Sequence, residues 1–245
     1  TYLSDRQNDD RIALLKSNLD MDSVNLINVV LERIAAYPDE SSKRKISKHA
    51  PVAGGLLPVE TSESKKEIAK KLRIIKRKYG SLSVNIEESV FYYHHGLSLL
   101  PGSVIKYLNG KDFIDLGAYA GDSAVALSEL NYRKIWSVEM SLKSIAGYKE
   151  NMLRCGIGTD KFEIINACIS SGRDNTFLEI PDTGSAGISP LRIKGKYDRI
   201  RVEKKSVDQM VEEYGISPAF IKADLEGNSL EMVKGAENTL RKFRP

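Results

Sequence analysis

The chain has 245 residues, 41% hydrophobic and 29% charged. These are ordinary proportions for a globular protein, and the length suffices for one main domain with an appendage. No apolar run approaches the ~20 residues of a membrane span. Two cysteines, Cys155 and Cys168, are too few for a disulfide framework or a zinc site. Cys168 lies in an apolar run and reads as a small core residue. No signal peptide is visible at the start, though the sequence opens at Thr1 and not at a methionine, and with so few cysteines a reducing cytoplasm is expected.

The net charge of +4 is unevenly placed. From Asp5 to Ala36 apolar residues recur at helical spacing: Ile12, Leu15 and Leu19, then Val24, Ile27, Val30, Leu31 and Ile34. Asp22-Ser23 marks a break or a new helix start. Residues 37–63, with Pro38, Pro51, Pro58 and Gly54-Gly55, read as a loop region that includes the basic stretch SSKRKISK, 41–48. Then KKEIAKKLRIIKRK, 65–78, places Ile68, Leu72 and Ile75 on one side of a basic amphipathic helix. Its plain role is a solvated face. The sharper alternatives are a patch for RNA or anionic lipid, or a lure for an acidic substrate; no base-stacking aromatic set accompanies it. Residues 1–80 are expected to form a helical and loop appendage, and 81–245 an α/β domain.

That domain opens with FIDLGAYAGDSAVALSEL, 113–130: a short apolar strand ending in Asp115, a turn with Gly117 and Gly121, and a helix started by Asp122 and Ser123. Strand, glycine turn and helix build a nucleotide site at the switch point of a doubly wound sheet. The pyrophosphate fingerprint G-x-G-x-x-G is not met, because the middle glycine is missing. A carboxylate at the strand tip suits a cationic or hydroxyl-bearing ligand better than phosphate. S-adenosylmethionine carries an α-amino group and a sulfonium and no phosphate. A second strand, 135–139, ends in Glu139, about 20 residues past the glycine turn, where an acid commonly takes ribose hydroxyls. The plain alternative is a βαβ unit whose acids only cap helices. Further strands are expected at 162–167 and 219–224, and helices at 123–130, 141–155, 207–214 and 229–242. An insertion spans 170–206, and its end, Ile200 to Lys204, could form an extra strand.

The C-terminal stretch FIKADLEG, 220–227, followed by SLEMVKGAENTLRKFRP, resembles the FkbM-type methyltransferases, whose hallmark is a strand written IK-x-D-x-EG, then a helix with L-x-GA ending near R/K-x-RP. DLGAYAGDSA is similar to that family's first motif, and YYHHGL, 92–97, to its lead-in. The resemblance covers roughly 88–245. It implies a Rossmann-like class I methyltransferase fold, a mostly parallel sheet with helices on both faces. In the family further strands follow R-x-RP. Ending at Pro245, this sequence is expected to lack them and to leave the 219–224 strand at an exposed edge.

The resemblance also implies S-adenosylmethionine as cofactor. Asp115, Gly117, Ala118, Gly121, Asp122 and Ser123 would surround its methionine end, and Glu139 its ribose. Met140 would lie against adenine, or be plain core, and Asn166 and Ala167 near the adenine edge. For catalysis Asp224 is the first candidate, as proton acceptor or orienter of the acceptor hydroxyl. Lys222 projects to the same strand face. It either lowers the acceptor's pKa or, the favoured role, pairs with Asp224. His95 is a candidate base, although a lone histidine is more often structural. Glu226 is expected to begin the next helix. Asp224 with Glu226 is too small a set to argue for magnesium, so no metal is expected. The expected activity is O-methylation of a sugar or secondary metabolite, with a small-molecule or glycan acceptor. An RNA methyltransferase and a catalytically silent cofactor-binding or assembly module are the alternatives.

Overall fold

The computed structural model describes residues 6–36, 62–172, 177–184 and 198–245. The loop expected at 37–63 therefore lies outside the described residues up to 61, including the basic stretch 41–48. Residues 1–65 and 66–245 form separate compact units.

In the first unit α1 (Arg6–Lys16) and α2 (Met21–Ala36) are separated by a short break. The break precedes Asp22, because Asp20 is the residue that caps: its carboxylate accepts from the Ser23 N–H at 2.9 Å and the Ser23 hydroxyl at 2.8 Å.

The second unit takes in most of the basic helix, α3 (Ser62–Tyr79), which starts three residues before the expected 65. Its apolar seam is occupied: Ile68 and Tyr79 are buried, and Ile75 packs against the core. α4 (Glu88–Phe91), a 3₁₀ turn (His94–Leu99) and α5 (Gly102–Leu108) lead into the sheet.

The strands are β1 (Asp112–Leu116), β2 (Lys134–Glu139), β3 (Phe162–Ile169), β4 (Phe177–Pro181), β5 (Arg199–Lys205) and β6 (Pro218–Ala223), in the order β4-β5-β3-β2-β1-β6. Every pairing is parallel except β4 with β5. β5 realises the extra strand expected at 200–204. β4 was not expected, and its sequence FLEIP is too short and mixed to announce a strand without the β5 partner. β6 is the edge strand among the described residues.

Side-chain alternation gives the sheet two dry faces. Phe113, Ile135 and Phe220 pack on one side with α4, α6 (Asp122–Leu127) and α7 (Leu142–Arg154); Ile114, Leu116, Val138 and Ile165 pack on the other with α8 (Val207–Tyr214). Helices on both faces of a mostly parallel sheet make a doubly wound, Rossmann-like α/β fold.

The single helix expected at 229–242 is two: α9 (Ser229–Lys234) and α10 (Glu237–Phe243). A Cβ at Gly235 would overlap the Ser170 carbonyl oxygen, so the backbone comes close to another segment there. Asp208, on α8, then caps α10, accepting from the N–H groups of Asn238 at 3.0 Å and Thr239 at 2.8 Å. Such a cap cannot be read from residues 229–242 alone. α6 likewise ends early, at Leu127, and gives way to a 3₁₀ turn (Ser128–Leu130).

Candidate functional site

The chain runs β1 to β2 to β3 in one direction and returns to place β6 on the far side of β1. That reversal is the topological switch point, and the crevice lies at the carboxyl ends of β1 and β6. Here the backbone of β1 turns sharply. The N–H groups of Gly117 and Ala118 both donate to the Val138 carbonyl at 3.0 Å. Gly117 has φ +77°, and a Cβ there would overlap the carbonyl oxygen of Asp224. Gly121 has φ +83°, and a Cβ would meet the Tyr148 ring at 2.9 Å. Both glycines are thus required by the packing of the crevice's own walls. Ala118 is fully buried beneath the turn.

Asp115 is completely buried, and its Oδ2 has no hydrogen-bond partner among the described residues. Its one close partner is the Lys222 ammonium, in register across β1 and β6 and 3.0 Å from Oδ1. Nζ of Lys222 also donates to the Gly117 carbonyl at 3.0 Å. The lysine therefore pairs with Asp115; the favoured Asp224 pairing gives way because strand register sets Lys222 opposite Asp115. Burial pulls the Lys222 ammonium down, but Asp115, Asp122 and Asp224 outweigh it and hold its pKa above the ordinary value. Asp122 is pushed up to about 6 by burial and by the charge of Asp115. Asp224 is exposed, its N–H bound to the Leu116 carbonyl at 2.9 Å. Three carboxyl groups, Asp115, Asp122 and Asp224, thus act on the Lys222 ammonium.

Glu139 ends β2 and closes the adjoining wall. One oxygen accepts from the Tyr119 N–H and the other from the Ser141 N–H, each at 2.8 Å. Burial raises its pKa against these bonds. Asn166, exposed within β3 and opposite Glu139 at the end of β2, donates Nδ2 to the carbonyls of Glu139 and Met140, both at 3.0 Å. Ala167 is buried in the core on the α8 side. Met140 is half-buried and belongs to neither core cluster. Ser141 caps α7 and donates to Asp182 at 2.5 Å, which ties the stretch after β4 to this wall.

His95 arrives from the 3₁₀ turn. His94, His95 and Gly96 have φ of 48°, 56° and 91° in succession, a left-handed run costing roughly 1–2 kcal/mol for each non-glycine residue. His95 Nε2 lies 3.0 Å from the hydroxyl of buried Ser123 at the start of α6. Burial and Lys222 lower its pKa, against Asp115 and Asp224, so the imidazole is neutral at pH 7 and able to accept a proton. Tyr119, within the glycine turn, and Glu226, two residues after Asp224, also have positive φ. Such strain concentrates at functional sites. Glu226 stands in a left-handed turn ahead of α9, which begins at Ser229 with Asn228 as N-cap, so it does not start the helix.

The structure thus brings Asp115, Asp122, Ser123, Lys222, Asp224 and His95 to one crevice, with Glu139 and Asn166 on the adjoining wall. The Ser123 contact to His95 and the backbone bonds of Glu139 had no local signal in the sequence. Among the described residues, no three His, Cys, Asp or Glu side chains converge as a metal site requires, and no helix is long and apolar enough to cross a membrane.

A family model described as Methyltransferase FkbM domain matches residues 115–245. Among solved structures, an FkbM methyltransferase from Methylobacillus flagellatus KT is similar over 74% of this chain and 48% of its own, at 12% identity and a TM-score of 0.40. This chain therefore spans about half of that protein's length. An O-methyltransferase from Bacillus cereus, solved in complex with SAH, is similar over 45% and 46% of the two chains, at 12% identity and a TM-score of 0.27. A putative RNA methyltransferase from Pyrococcus horikoshii is similar over 41% and 49%, at 22% identity and a TM-score of 0.28. No curated protein matches the chain in sequence.

Proposed function

We propose that this chain, which belongs to the FkbM methyltransferase family, binds S-adenosylmethionine at the β1–β6 crevice and methylates a hydroxyl of a sugar or secondary metabolite. The observation that carries this is Asp115, a fully buried carboxylate at the switch point that is paired through Oδ1 with Lys222 and whose Oδ2 has no hydrogen-bond partner among the described residues. Buried polar atoms in folded proteins are almost always satisfied, and an exception points to a missing partner. The surplus of carboxyl groups over the single Lys222 suits a ligand that brings positive charge. The donor set therefore fits the cofactor, which when bound supplies an electrophilic methyl group.

The chain's own residues divide the remaining work. Asp115, Asp122 and the turn from Gly117 to Gly121 would hold the methionine end. Glu139 keeps lone pairs free beyond its two backbone N–H bonds and would accept from ribose hydroxyls. Asn166 fixes the Glu139 and Met140 carbonyls, and so shapes the adenine wall from the backbone. Asp224, exposed at the mouth, would take the acceptor's proton or orient its hydroxyl. His95 is neutral and next in line. Lys222 neutralises Asp115 in part and stays protonated.

The test has two arms. Calorimetry with S-adenosylhomocysteine and with NAD should show binding of the first only. Mass spectrometry of glycan pools incubated with labelled cofactor should then reveal an acceptor. Asp224→Asn should keep S-adenosylhomocysteine affinity and lower kcat by roughly 10²–10⁴-fold. Loss of affinity and turnover together would place Asp224 in the cofactor shell instead.

A nucleic-acid acceptor is the second reading. It is favoured by Lys66, Lys70, Arg73 and Arg77 of α3, exposed at helical spacing opposite the buried seam. A salt-dependent shift of labelled RNA, lost on changing these residues, would support it.

A further inference from the structure

The 3₁₀ turn carrying His95 is strained, with positive φ at His94, His95 and Gly96. Leu97 is buried, while Gly96 N–H and Ser98 N–H both return to the Tyr93 carbonyl, at 2.9 Å and 3.2 Å. These bonds are local and would tolerate other placements of the two imidazoles. Beyond the packing of Leu97 in the core and the His95–Ser123 contact, a cross-element polar hold comes from Glu129, in the 3₁₀ turn after α6. Its Oε1 accepts from Lys78 Nζ and Tyr79 OH at the end of α3, each at 2.8 Å. Its Oε2 lies 3.2 Å from His94 Nε2. An ionised carboxylate only accepts, so Nε2 of His94 must carry the proton. Burial pushes the Glu129 carboxyl up, but the bonds from Lys78 and Tyr79 and the charges of Lys78 and His94 outweigh it and keep it ionised.

We infer that Glu129 is a positioning residue: it clamps His94 to the end of α3 and so holds the left-handed turn that presents His95 to Ser123. The consequence for catalysis rests on the methyl-transfer reading of the crevice. A catalytic group displaced by about 1 Å can lose around 100-fold in rate, and a histidine on an unclamped strained turn has such freedom. Lys78, Tyr79 and His94 face Glu129, and Lys222, Asp115, Asp224 and His94 face His95.

The test follows the imidazole resonances by NMR in Glu129→Gln and Glu129→Ala. The chain has three histidines, so changing His49 and His94 in turn assigns the spectrum. Wild-type His95 should titrate below the ordinary histidine value of about 6.5. In the Glu129 variants its midpoint should move up towards that value, further in Ala than in Gln. S-adenosylhomocysteine affinity should stay within about twofold, and kcat should fall roughly 10- to 100-fold. An unchanged His95 midpoint in a folded Glu129→Ala protein overturns the inference, and a released His95 with full turnover overturns its consequence for catalysis. If Ala does not fold, Gln decides by the same criterion. Failure of the wild type to bind S-adenosylhomocysteine would sink the methyl-transfer reading and leave the titration result standing.

Discussion

Two aspartates on one strand have opposite fates. Asp112 opens β1 and Asp115 lies near its end, and both are buried. Asp112 is satisfied: Arg133 donates through Nε at 2.8 Å and through Nη2, and the Ser217 N–H approaches at 3.4 Å. The Arg133 side chain is 62% exposed, so that pair reaches water. The Lys222 side chain is 11% exposed, so the Asp115 pair does not, and both Asp115 oxygens keep unused acceptor capacity. A carboxylate at the amino end of a parallel strand anchors the fold here. The same group at the carboxyl end has one ammonium partner and spare acceptor capacity, which the proposed function assigns to a ligand.

Asp115→Ala should break this contrast most severely. It leaves Lys222 buried without its counter-charge, a loss of about 3–5 kcal/mol of stability in urea unfolding, and S-adenosylhomocysteine binding should vanish by calorimetry. Adding Lys222→Met should recover much of the stability and none of the binding.

Asp122 sharpens the comparison through pH. Its folded pKa of about 6 exceeds the unfolded value near 3.8, so ionisation favours unfolding. Stability should decline as pH rises from about 4 to about 6 and stay level above, as far as this group is concerned. Asp122→Asn should remove that slope and raise stability at pH 7 by at most about 3 kcal/mol. An unchanged slope between these pH values would show that Asp122 is not the titrating group.

Glu139→Ala should weaken S-adenosylhomocysteine by about 1–3 kcal/mol, with a smaller loss for an analogue lacking both ribose hydroxyls. Asp112→Ala should be the mildest, about 1–2 kcal/mol of stability, because Arg133 can return to water, and ligand affinity should stay within about twofold. A large affinity loss there would erase the distinction between the two ends of β1.

The parts legible in the sequence were those encoded locally. The apolar run before Asp115, the spacing of Gly117 and Gly121, and the position of Glu139 follow from short-range pattern. So does the start of α8, where Ser206 and Gln209 form a reciprocal capping box. What escaped is non-local. Lys222 chooses Asp115 through strand register, not through its neighbour two residues on. The kink at Gly235 is imposed by Ser170 and by Asp208 from another helix. β4 exists because β5 pairs with it. The link between His95 and Ser123 joins residues 28 positions apart. Periodicity carries no information about such partners.

The two backbone bonds of Glu139 give the crevice a clock. The amides of Tyr119 and Ser141 lie outside every strand ladder, yet each is sealed by an oxygen of the same side chain. Their exchange with deuterated water is therefore timed by excursions of one carboxylate, not by opening of the sheet. The two amides should exchange in step, far more slowly than their loop setting suggests. A ligand that steadies Glu139 would slow both together while leaving the amides of β3 untouched.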